Sequence, residues 1–328
     1  MRLLVTGGAG FIGSHYVRTL LSGGYPGYAD AEVTVLDKLT YAGNLDNLAP
    51  VADHPRYRFA QADVCDSAAL DELLPGHDAV VNFAAETHVD RSISGAADFV
   101  VTNVLGVQTL FDACLRHGVG RVVHVSTDEV YGTIPAGSWT EEHLLEPSSP
   151  YSAAKAGGDL LARAYAVTYG LDVCVTRCTN NYGPYQFPEK VVPLFVTNLL
   201  EGRKVPLYGD GLNVRDWLHV DDHCRGVQLV LERGERAQVY NIGGGREMTN
   251  RELTSRLLAA CGADWSRVEH VEDRLGHDRR YSLDDTKLRR LGYRPRTSFE
   301  EGLAATVRWY RDNEQWWRPL KEKAALRR

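Results

Sequence analysis

The stretch MRLLVTGGAGFIGS, residues 1–14, places four glycines directly after a short apolar run and directly before a helical pattern. Gly7, Gly8, Gly10 and Gly13 satisfy both the GxxGxxG and the GxGxxG spacing. In such a loop the first glycine allows a tight turn, the middle one lets backbone N–H groups approach a pyrophosphate, and the last lets the helix pack closely on the strand. The stretch therefore predicts a strand, a phosphate-binding loop and a helix, which together open a dinucleotide-binding fold.

An acidic residue supports this prediction and indicates which dinucleotide is bound. Asp37 ends the apolar segment VTVLD, 24 residues beyond Gly13. A carboxylate at this position accepts hydrogen bonds from both ribose hydroxyls but repels a 2′-phosphate, so NAD is favoured over NADP. Lys38 follows directly and is a cation that could tolerate a phosphate, which leaves NADP open at this point.

Apolar, β-branched segments alternate with segments of helical period over the first half of the chain. The strand-like segments are RLLVTG, EVTVLD, YRFAQADV, DAVVNFAA, RVVHVST and DVCVTRC. This alternation predicts an α/β fold with a Rossmann-type, doubly wound parallel sheet. The pattern weakens after about residue 182, which predicts a smaller α+β substrate-binding lobe. We expect a dinucleotide-binding domain at residues 1–182, rejoined by about 216–243, and the smaller lobe at 183–215 and 244–328.

Composition and charge restrict the class of partner. The 328 residues carry a formal net charge of −6, which gives no overall basic field for nucleic acid or an anionic membrane. No stretch approaches the roughly 18 to 20 uninterrupted apolar residues of a membrane-spanning helix, and the glycine-broken N-terminus does not match a signal peptide. The six cysteines show no CxxC spacing, which favours a reduced, cytoplasmic setting. We expect a small-molecule partner, with neither nucleic acid nor membrane.

The segment SSPYSAAK predicts a helix that carries a proton-transfer pair. Ser149 suits the N-cap and Pro150 the first helical position, so Tyr151 and Lys155, four residues apart, lie on one face near the start of the helix. An ammonium near a phenol favours the phenolate and lowers the phenol pKa. This pair is therefore equipped to remove a proton from a substrate hydroxyl.

Two adjacent carboxyl groups follow the strand-like run in HVSTDEVYG, residues 124–132. Neighbouring residues of a strand point to opposite faces of a sheet. Asp128 and Glu129 can therefore serve one substrate only if the chain leaves extended geometry at Thr127 or just after it. We predict a turn at that point.

The motifs TGGAGFIGS, VTVLD, NFAAETHVD, STDEVYG and YSAAK, in this order and spacing, resemble the extended short-chain dehydrogenase/reductase superfamily that acts on nucleotide sugars. The segments STDEVYG, RCTNNYGPYQFPEK, YGDGLNVRDWLHVDDH and RLGHDRRY more closely resemble the 4,6-dehydratase family that acts on dTDP-glucose, and this resemblance runs over nearly the whole chain. It implies an NAD-dependent lyase of deoxysugar biosynthesis, antibiotic biosynthesis included, that binds dTDP-glucose in its smaller, nucleotide-sugar-binding lobe. It also implies a homodimer, whose mates would pair through helices near 98–117 and 151–169.

The resemblance assigns the catalytic roles. Tyr151 acts on the carbon 4 hydroxyl, Thr127 orients it, and Lys155 assists the phenol. Glu129 takes the carbon 5 proton and Asp128 protonates the departing carbon 6 hydroxyl, which requires unequal surroundings for the two carboxyl groups. NAD takes a hydride from carbon 4 and returns it to carbon 6, so no net redox change results.

The resemblance also implies which residues hold the two small molecules. The cofactor-binding residues are Gly7, Gly10, Phe11, Ile12, Gly13, Asp37, Lys38, Leu39, Thr40, Asp63, Val64, Phe83, Ala84, Ala85, Thr87, Thr102, Tyr151, Lys155 and Asn181. The substrate-binding residues are Thr87, Thr127, Asn180, Lys190, Val191, Pro206, Leu207, Tyr208, Arg215, Asn250, Arg274, His277, Asp278 and Tyr281. Among these, Arg215 and Arg274 suit a diphosphate because a planar guanidinium matches phosphate oxygens at two points. Tyr208 suits stacking on a pyrimidine, with core packing as the rival interpretation.

Several alternatives remain open at this point. A nucleotide-sugar 4-epimerase needs only the tyrosine base and a hydroxyl partner, a 4,6-dehydratase could use a different nucleotide sugar, and an inactive dinucleotide-binding regulator would keep only the fold. His219 and His223, four residues apart, could suggest a metal, but we expect none because the reaction needs no Lewis acid. Trp309 and Trp316, seven residues apart, predict a core-facing helix rather than an interaction surface.

Overall fold

The computed structural model describes residues 1–325, and its main element is a seven-stranded parallel sheet. The strands of this sheet are β1 (Arg2–Thr6), β2 (Glu32–Asp37), β3 (Tyr57–Gln61), β4 (Ala79–Asn82), β5 (Arg121–Thr127) and β6 (Val173–Cys178), followed much later by β10 (Val239–Ile242). The other strands are β7 (Asn180–Tyr182), β8 (Val205–Tyr208), β9 (Val214–His219), β11 (Glu247–Thr249) and β12 (Val268–Val271). The large sheet has the order β10-β6-β5-β4-β1-β2-β3. This order reverses between β1 and β4, which is where a doubly wound sheet forms a ligand cleft at the carboxyl ends of its strands.

Helices cover both faces of this sheet. The α-helices of residues 1–325, those of the smaller lobe included, are α1 (Phe11–Leu21), α2 (Ser67–Leu73), α3 (Val89–Ser94), α4 (Ala97–Val100), α5 (Gly106–Arg116), α6 (Pro150–Thr168), α7 (Val191–Leu200), α8 (Val220–Arg233), α9 (Asn250–Cys261), α10 (Thr286–Arg290), α11 (Phe299–Asp312) and α12 (Glu314–Ala325). Leu3 and Val5 of β1 belong to the core that includes α1 and α8, whereas Leu4 belongs to the core that includes α2, α5 and α6. Successive residues of a strand thus enter different cores, which explains the continuous apolar runs of the sequence and confirms the predicted fold class.

The smaller lobe has its own sheets and its own core. In a three-stranded sheet, β9 lies between β7, to which it is parallel, and β11, to which it is antiparallel. A second sheet pairs β8 with β12. Helices α7, α9 and α11 bury Val196, Leu257 and Tyr310 in this lobe. Trp309 and Trp316 are partly buried against the same cluster, which confirms that they face a core.

The chain passes between the two lobes more than once. β10 pairs with β6 at the edge of the large sheet, and α8 packs on β5 and β6. β9 instead belongs to a sheet of the smaller lobe. We therefore propose that the chain re-enters the dinucleotide-binding domain at Val220 and leaves it after Ile242.

One continuous helical stretch, Ala97–Arg116, is long and apolar enough to cross a membrane when judged by length and composition alone. Half of its most apolar window is buried inside the protein. Its α5 portion packs against α2 and α6. These contacts are typical of a core helix of a globular domain.

A buried ion pair fixes α6, which carries Tyr151 and Lys155, to the large sheet. The Nε of Arg177 in β6 donates to Oδ2 of Asp159 at 2.8 Å, and the side chains are 6% and 2% exposed. Removing one partner of such a pair leaves an uncompensated buried charge, so we expect Asp159→Ala to lower the free energy of unfolding by about 3–5 kcal/mol in urea titrations. Arg279→Ala, which breaks an exposed pair with Asp210, should cost less than about 1 kcal/mol. Equal losses in the two variants would contradict the anchoring role of Asp159.

Candidate active site

The glycine-rich loop has the close backbone approaches that the sequence predicts. Gly7 has a φ of +67°, and a Cβ on it would lie 2.6 Å from the backbone N of Ala84 at the end of β4. A Cβ on Gly13 would lie 2.4 Å from the carbonyl oxygen of Gly7, so the first turn of α1 touches the loop directly. The N-cap of α1 is Gly10, which has no side chain to occupy the free N–H groups. The helix N-terminus can therefore receive a phosphate group.

Asp37 ties the loop to the end of β2. Its Oδ2 accepts from the backbone N of Ala9 at 3.0 Å, and its Oδ1 accepts from the backbone N of Leu39 at 2.9 Å. Each carboxylate oxygen keeps a lone pair for a ribose hydroxyl. The Nζ of Lys38 lies 3.2 Å from Oδ2 of Asp63, so a carboxylate already compensates this cation. The residues present thus fit an NAD ribose, and the competing NADP interpretation loses its main support.

The chain turns at Thr127, which confirms the prediction. β5 ends at Thr127, and a 3-10 helix runs over Asp128–Tyr131. The Thr127 hydroxyl accepts from the backbone N of Glu129 at 3.2 Å and donates to Oδ1 of Asp128 at 3.3 Å. Because the strand stops here, both carboxyl groups line the same cleft.

The surroundings of the two carboxyl groups differ. Asp128 is 2% exposed, and its Oδ2 has no hydrogen-bond partner within residues 1–325. Burial, and then the charge of Glu129, raises the pKa of Asp128 well above its usual value. Burial also raises the pKa of Glu129, but the cations Arg274, Lys190 and Arg215 oppose this shift. Asp128 is therefore held protonated more strongly, whereas Glu129 is the carboxyl group that nearby cations help to ionise.

Tyr151 and Lys155 lie where the sequence predicts, but their electrostatics differ from the expectation. Ser149 caps α6, Pro150 occupies its first turn, and both Tyr151 and Lys155 are buried. Burial, and then the charge of Glu129, raises the pKa of Tyr151 well above its usual value, while a hydrogen bond with Thr127 lowers it. The Nζ of Lys155 donates to the carbonyl oxygen of Val125 at 2.7 Å. The expectation that Lys155 lowers the phenol pKa is thus wrong for this state, because burial dominates.

Most of the predicted residues line one cleft at the carboxyl ends of the strands. The cleft brings together the catalytic set with the predicted residues Gly7, Gly10, Phe11, Ile12, Gly13, Asp37, Lys38, Thr40, Asp63, Val64, Phe83, Ala84, Ala85, Thr87, Thr102, Asn180, Asn181 and Lys190. Leu39 lies outside it and lines an adjoining cavity together with Tyr208. The other predicted substrate residues, which do not line the cleft, are Val191, Pro206, Leu207, Arg215, Asn250, Arg274, His277, Asp278 and Tyr281.

Two of these outer residues, Arg215 and Arg274, act electrostatically on Glu129. The guanidinium of Arg215 donates to the carbonyl oxygen of Asp278 at 2.8 Å and covers the ring of Tyr281 at 4.2 Å. Arg274 lies 3.7 Å from Asp90, across the lobe boundary. The Nζ of Lys190 donates to the carbonyl oxygen of Thr87 at 2.8 Å. The smaller lobe thus points three cations towards the catalytic cleft.

The remaining outer residues differ in accessibility. Tyr208 is 37% exposed, and its ring lies edge-on to His277, with centroids 6.4 Å apart, so part of the ring is accessible to solvent. Leu207 is 2% exposed and belongs to the core, which leaves only its backbone for recognition. Asn250 is the first residue of α9, and its backbone N donates to Asn213.

Sequence reasoning missed several residues of the cleft. Glu86, Gln186 and Glu189 line it, and each directly precedes or closely neighbours a predicted residue. Position could have found Glu86, because it follows the carboxyl end of β4, where the cleft opens. Gln186 and Glu189 come after β7, and no local pattern marks them. No group of three or more His, Cys, Asp or Glu side chains within residues 1–325 is arranged to hold a metal. Burial lowers the pKa of the half-buried His219 to about 4 and that of the buried His223 to about 3.

We expect Gly13→Ala to abolish retention of the dinucleotide, since the added Cβ would lie 2.4 Å from the Gly7 carbonyl oxygen and push α1 away from the loop. Gly95→Ala is the matched control, because a Cβ there meets nothing within 4 Å. NAD bound after gel filtration, measured by absorbance, should fall at least tenfold for Gly13→Ala and stay unchanged for Gly95→Ala. Retention of NAD by both variants would refute the close approach of α1 and the loop.

This chain is similar to known proteins over nearly its whole length. Residues 4–306 match the family model of GDP-mannose 4,6 dehydratase. The dTDP-glucose 4,6-dehydratase of Streptomyces niveus is 62% identical over 98% of this chain and 96% of its own length. A solved dTDP-glucose 4,6-dehydratase of Streptomyces venezuelae, with NAD bound, has a TM-score of 0.97 and 65% identity, covering 98% of this chain and 100% of its own. A UDP-glucose 4-epimerase of Thermotoga maritima has a TM-score of 0.88 and 34% identity, covering 96% and 100%. This chain belongs to the GDP-mannose 4,6 dehydratase family of extended short-chain dehydrogenases/reductases.

Proposed function

We propose that this protein is a dTDP-glucose 4,6-dehydratase, which converts dTDP-glucose to dTDP-4-keto-6-deoxyglucose and water with NAD as a regenerated cofactor. The observation that carries the proposal is the pair Asp128 and Glu129, which line one cleft in unequal surroundings next to Tyr151. An elimination needs one acid and one base at adjacent carbons, and this pair provides them. Relatives that are 60–65% identical over nearly the whole chain carry the same activity in their names.

The first half of the reaction prepares carbon 5 for proton loss. Tyr151, oriented by its hydrogen bond with Thr127, accepts the proton of the carbon 4 hydroxyl. NAD, when bound, supplies the acceptor for the carbon 4 hydride, the later donor to carbon 6, and a positive ring that favours the phenolate. The carbon 4 ketone then acidifies the hydrogen on carbon 5.

The second half uses the two carboxyl groups in turn. Glu129 takes the carbon 5 proton, and the electron pair forms the carbon 5–carbon 6 double bond as the carbon 6 hydroxyl leaves with a proton from Asp128, as water. A hydride is then added at carbon 6 and a proton from Glu129 at carbon 5. The substrate loses one water and the cofactor ends as it began. The proton that Tyr151 took from the carbon 4 hydroxyl is released to solvent, and solvent returns one proton to Asp128, so atoms, electrons and protons balance.

The substrate diphosphate lies, in this proposal, between Arg215 and Arg274, with Lys190 nearby. These three cations oppose the raised pKa of Glu129, which supports a place for them near the sugar end of the cleft. Tyr208 is accessible for stacking on the thymine ring. Incubation with dTDP-glucose followed by mass analysis tests the activity, because a dehydratase product lacks one water whereas a 4-epimerase product has the mass of the substrate.

We expect Asp128→Asn to oxidise carbon 4 but to lower the rate of water loss about 10²–10⁴-fold, so that a transient reduced-nicotinamide absorbance accumulates in a single turnover. The amide cannot donate an acidic proton to the leaving hydroxyl. Because the pKa of Asp128 is raised, its acid form is present below that pKa and is lost as pH rises through it. The wild-type rate should therefore decline on the alkaline side through Asp128, and the variant should lack this decline.

Glu129→Gln is the companion variant. It should also stop after oxidation, but hydrogen on carbon 5 should then fail to exchange with deuterated water, whereas exchange should persist in Asp128→Asn. Carbon 5 exchange in Glu129→Gln and none in Asp128→Asn would show that the acid and base roles are reversed.

We further propose that the protein acts as a homodimer through the outer faces of α4–α5 and α6. Apolar side chains are exposed on both helical segments, with Val100 at 52%, Leu105 at 49%, Leu160 at 59% and Val167 at 76%. Several large apolar side chains exposed on neighbouring helices are typical of a protein interface. A second copy of the same face is the simplest partner, because a two-fold interface pairs each helix with its mate.

Leu160→Glu should convert the dimer to a monomer in sedimentation velocity, because it places two carboxylates near the two-fold axis. Leu144→Glu, at a leucine that is 79% exposed outside these helices, should leave the oligomeric state unchanged. A wild-type monomer at micromolar concentration would overturn the proposal.

The cytoplasm is the proposed location, because all six cysteines are free thiols and a reducing compartment keeps them so. The reaction places the protein in deoxysugar biosynthesis. We propose antibiotic biosynthesis as the destination of its product.

A further inference from the structure

Trp316, in the C-terminal helix α12, packs in a core and also reaches the glycine-rich loop through the side chain of Asn47. The indole Nε1 of Trp316 in α12 donates to Oδ1 of Asn47 at 3.1 Å. The Nδ2 of Asn47 in turn donates to the carbonyl oxygen of Ala9 at 2.8 Å. Asn47 is 2% exposed and Ala9 is fully buried, so water does not compete well for these bonds. Two hydrogen bonds thus join the smaller lobe to the glycine-rich loop.

An aromatic cluster packs against α1, the helix that follows the glycine-rich loop. The guanidinium of Arg18 in α1 lies 4.1 Å from the ring centroid of Tyr185 and also donates to the carbonyl oxygen of Asn47. The ring of Tyr185 contacts the rings of Trp309 and Trp316, with centroids 4.5 and 5.6 Å apart. Tyr185 has a φ of +68°, a conformation that side-chain-bearing residues rarely adopt. The cluster therefore holds a strained loop residue against the helix that follows the glycine-rich loop.

Helix α11, which precedes α12, contacts a second part of the cleft, at Gln186. The hydroxyl of Tyr310 in α11 donates to the carbonyl oxygen of Gln186. The Nε2 of Gln186 donates to the carbonyl oxygen of Asn181 at 2.9 Å, and both residues line the cleft. Helix α11 thus contacts the cleft-lining residue Gln186, and helix α12 reaches the glycine-rich loop through Asn47.

We propose that α11 and α12 form a cofactor-retention element, in which Trp316 is a positioning residue that acts through Asn47 to hold the glycine-rich loop closed on NAD. This inference rests on the proposed function. In that reaction the hydride taken from carbon 4 goes back to the same substrate molecule, so a cofactor that dissociates between the two transfers leaves the reaction incomplete. A loop that opens readily would therefore lower the fraction of turnovers that form product.

Trp316→Phe tests the link, because it keeps an aromatic ring in the cluster and removes the indole N–H. The NAD release rate, followed by trapping free NAD with a dehydrogenase in excess, should rise about three- to tenfold, the effect of one hydrogen bond. Activity should fall progressively during turnover and return when NAD is added, while the KM for dTDP-glucose stays unchanged.

Trp317→Phe is the matched control. Its indole lies on the same helix and donates to the carbonyl oxygen of Tyr310 at 2.7 Å, within the hairpin, without reaching Asn47. It should lower the melting temperature and leave NAD release unchanged. Asn47→Ala breaks the link from its other end, so the double variant with Trp316→Phe should release NAD no faster than Asn47→Ala alone.

Two outcomes would overturn the inference. One is an unchanged release rate in both Trp316→Phe and Asn47→Ala. The other is an equal acceleration in Trp316→Phe and Trp317→Phe, which would assign the effect to general loosening of α12. Release is measured without sugar substrate, so a protein that holds NAD through Trp316 but yields no dehydrated product would refute the proposed function alone.

Discussion

The exit of the chain from β5 at Thr127 is the local event on which the chemistry depends. The Thr127 hydroxyl accepts from the backbone N of Glu129 and donates to the side chain of Asp128. It therefore both stabilises the turn and orients the Asp128 carboxyl group. It also bonds the phenol of Tyr151. Had the strand continued by one residue, Asp128 and Glu129 would point to opposite faces of the sheet, and only one of them could reach the cleft.

The turn brings the carboxyl groups together, but the two lobes make them different. Asp128 lies deep at the end of the sheet, where burial and the charge of its neighbour favour the protonated form. Glu129 faces cations that come from segments outside the large sheet, Arg274, Lys190 and Arg215. The proposed division into acid and base is therefore a property of the lobe arrangement, because neither residue has an intrinsic preference that would separate them.

Much of this arrangement could be predicted from the chain, and the exceptions have physical causes. The glycine spacing, Asp37 and the apolar runs predict the fold because they report local backbone requirements and burial, which are encoded close together in sequence. The turn at Thr127 follows from sheet geometry alone. The predicted lowering of the Tyr151 pKa was wrong, because burial depends on the whole cleft, whereas the YxxxK spacing reports only proximity. Leu39, Gln186 and the substrate-lobe arginines depend on how distant loops meet, which no local pattern encodes.

The cations of the smaller lobe also link substrate binding to the strength of the base. While the cleft holds no substrate, Arg274 and Arg215 lower the pKa of Glu129 against the effect of burial. If these guanidinium groups bind the diphosphate as proposed, its negative charges compensate theirs, and their effect on Glu129 weakens. The Glu129 carboxylate then becomes more basic only once the sugar is in place. Substrate binding would thus strengthen the proton acceptor that the elimination requires.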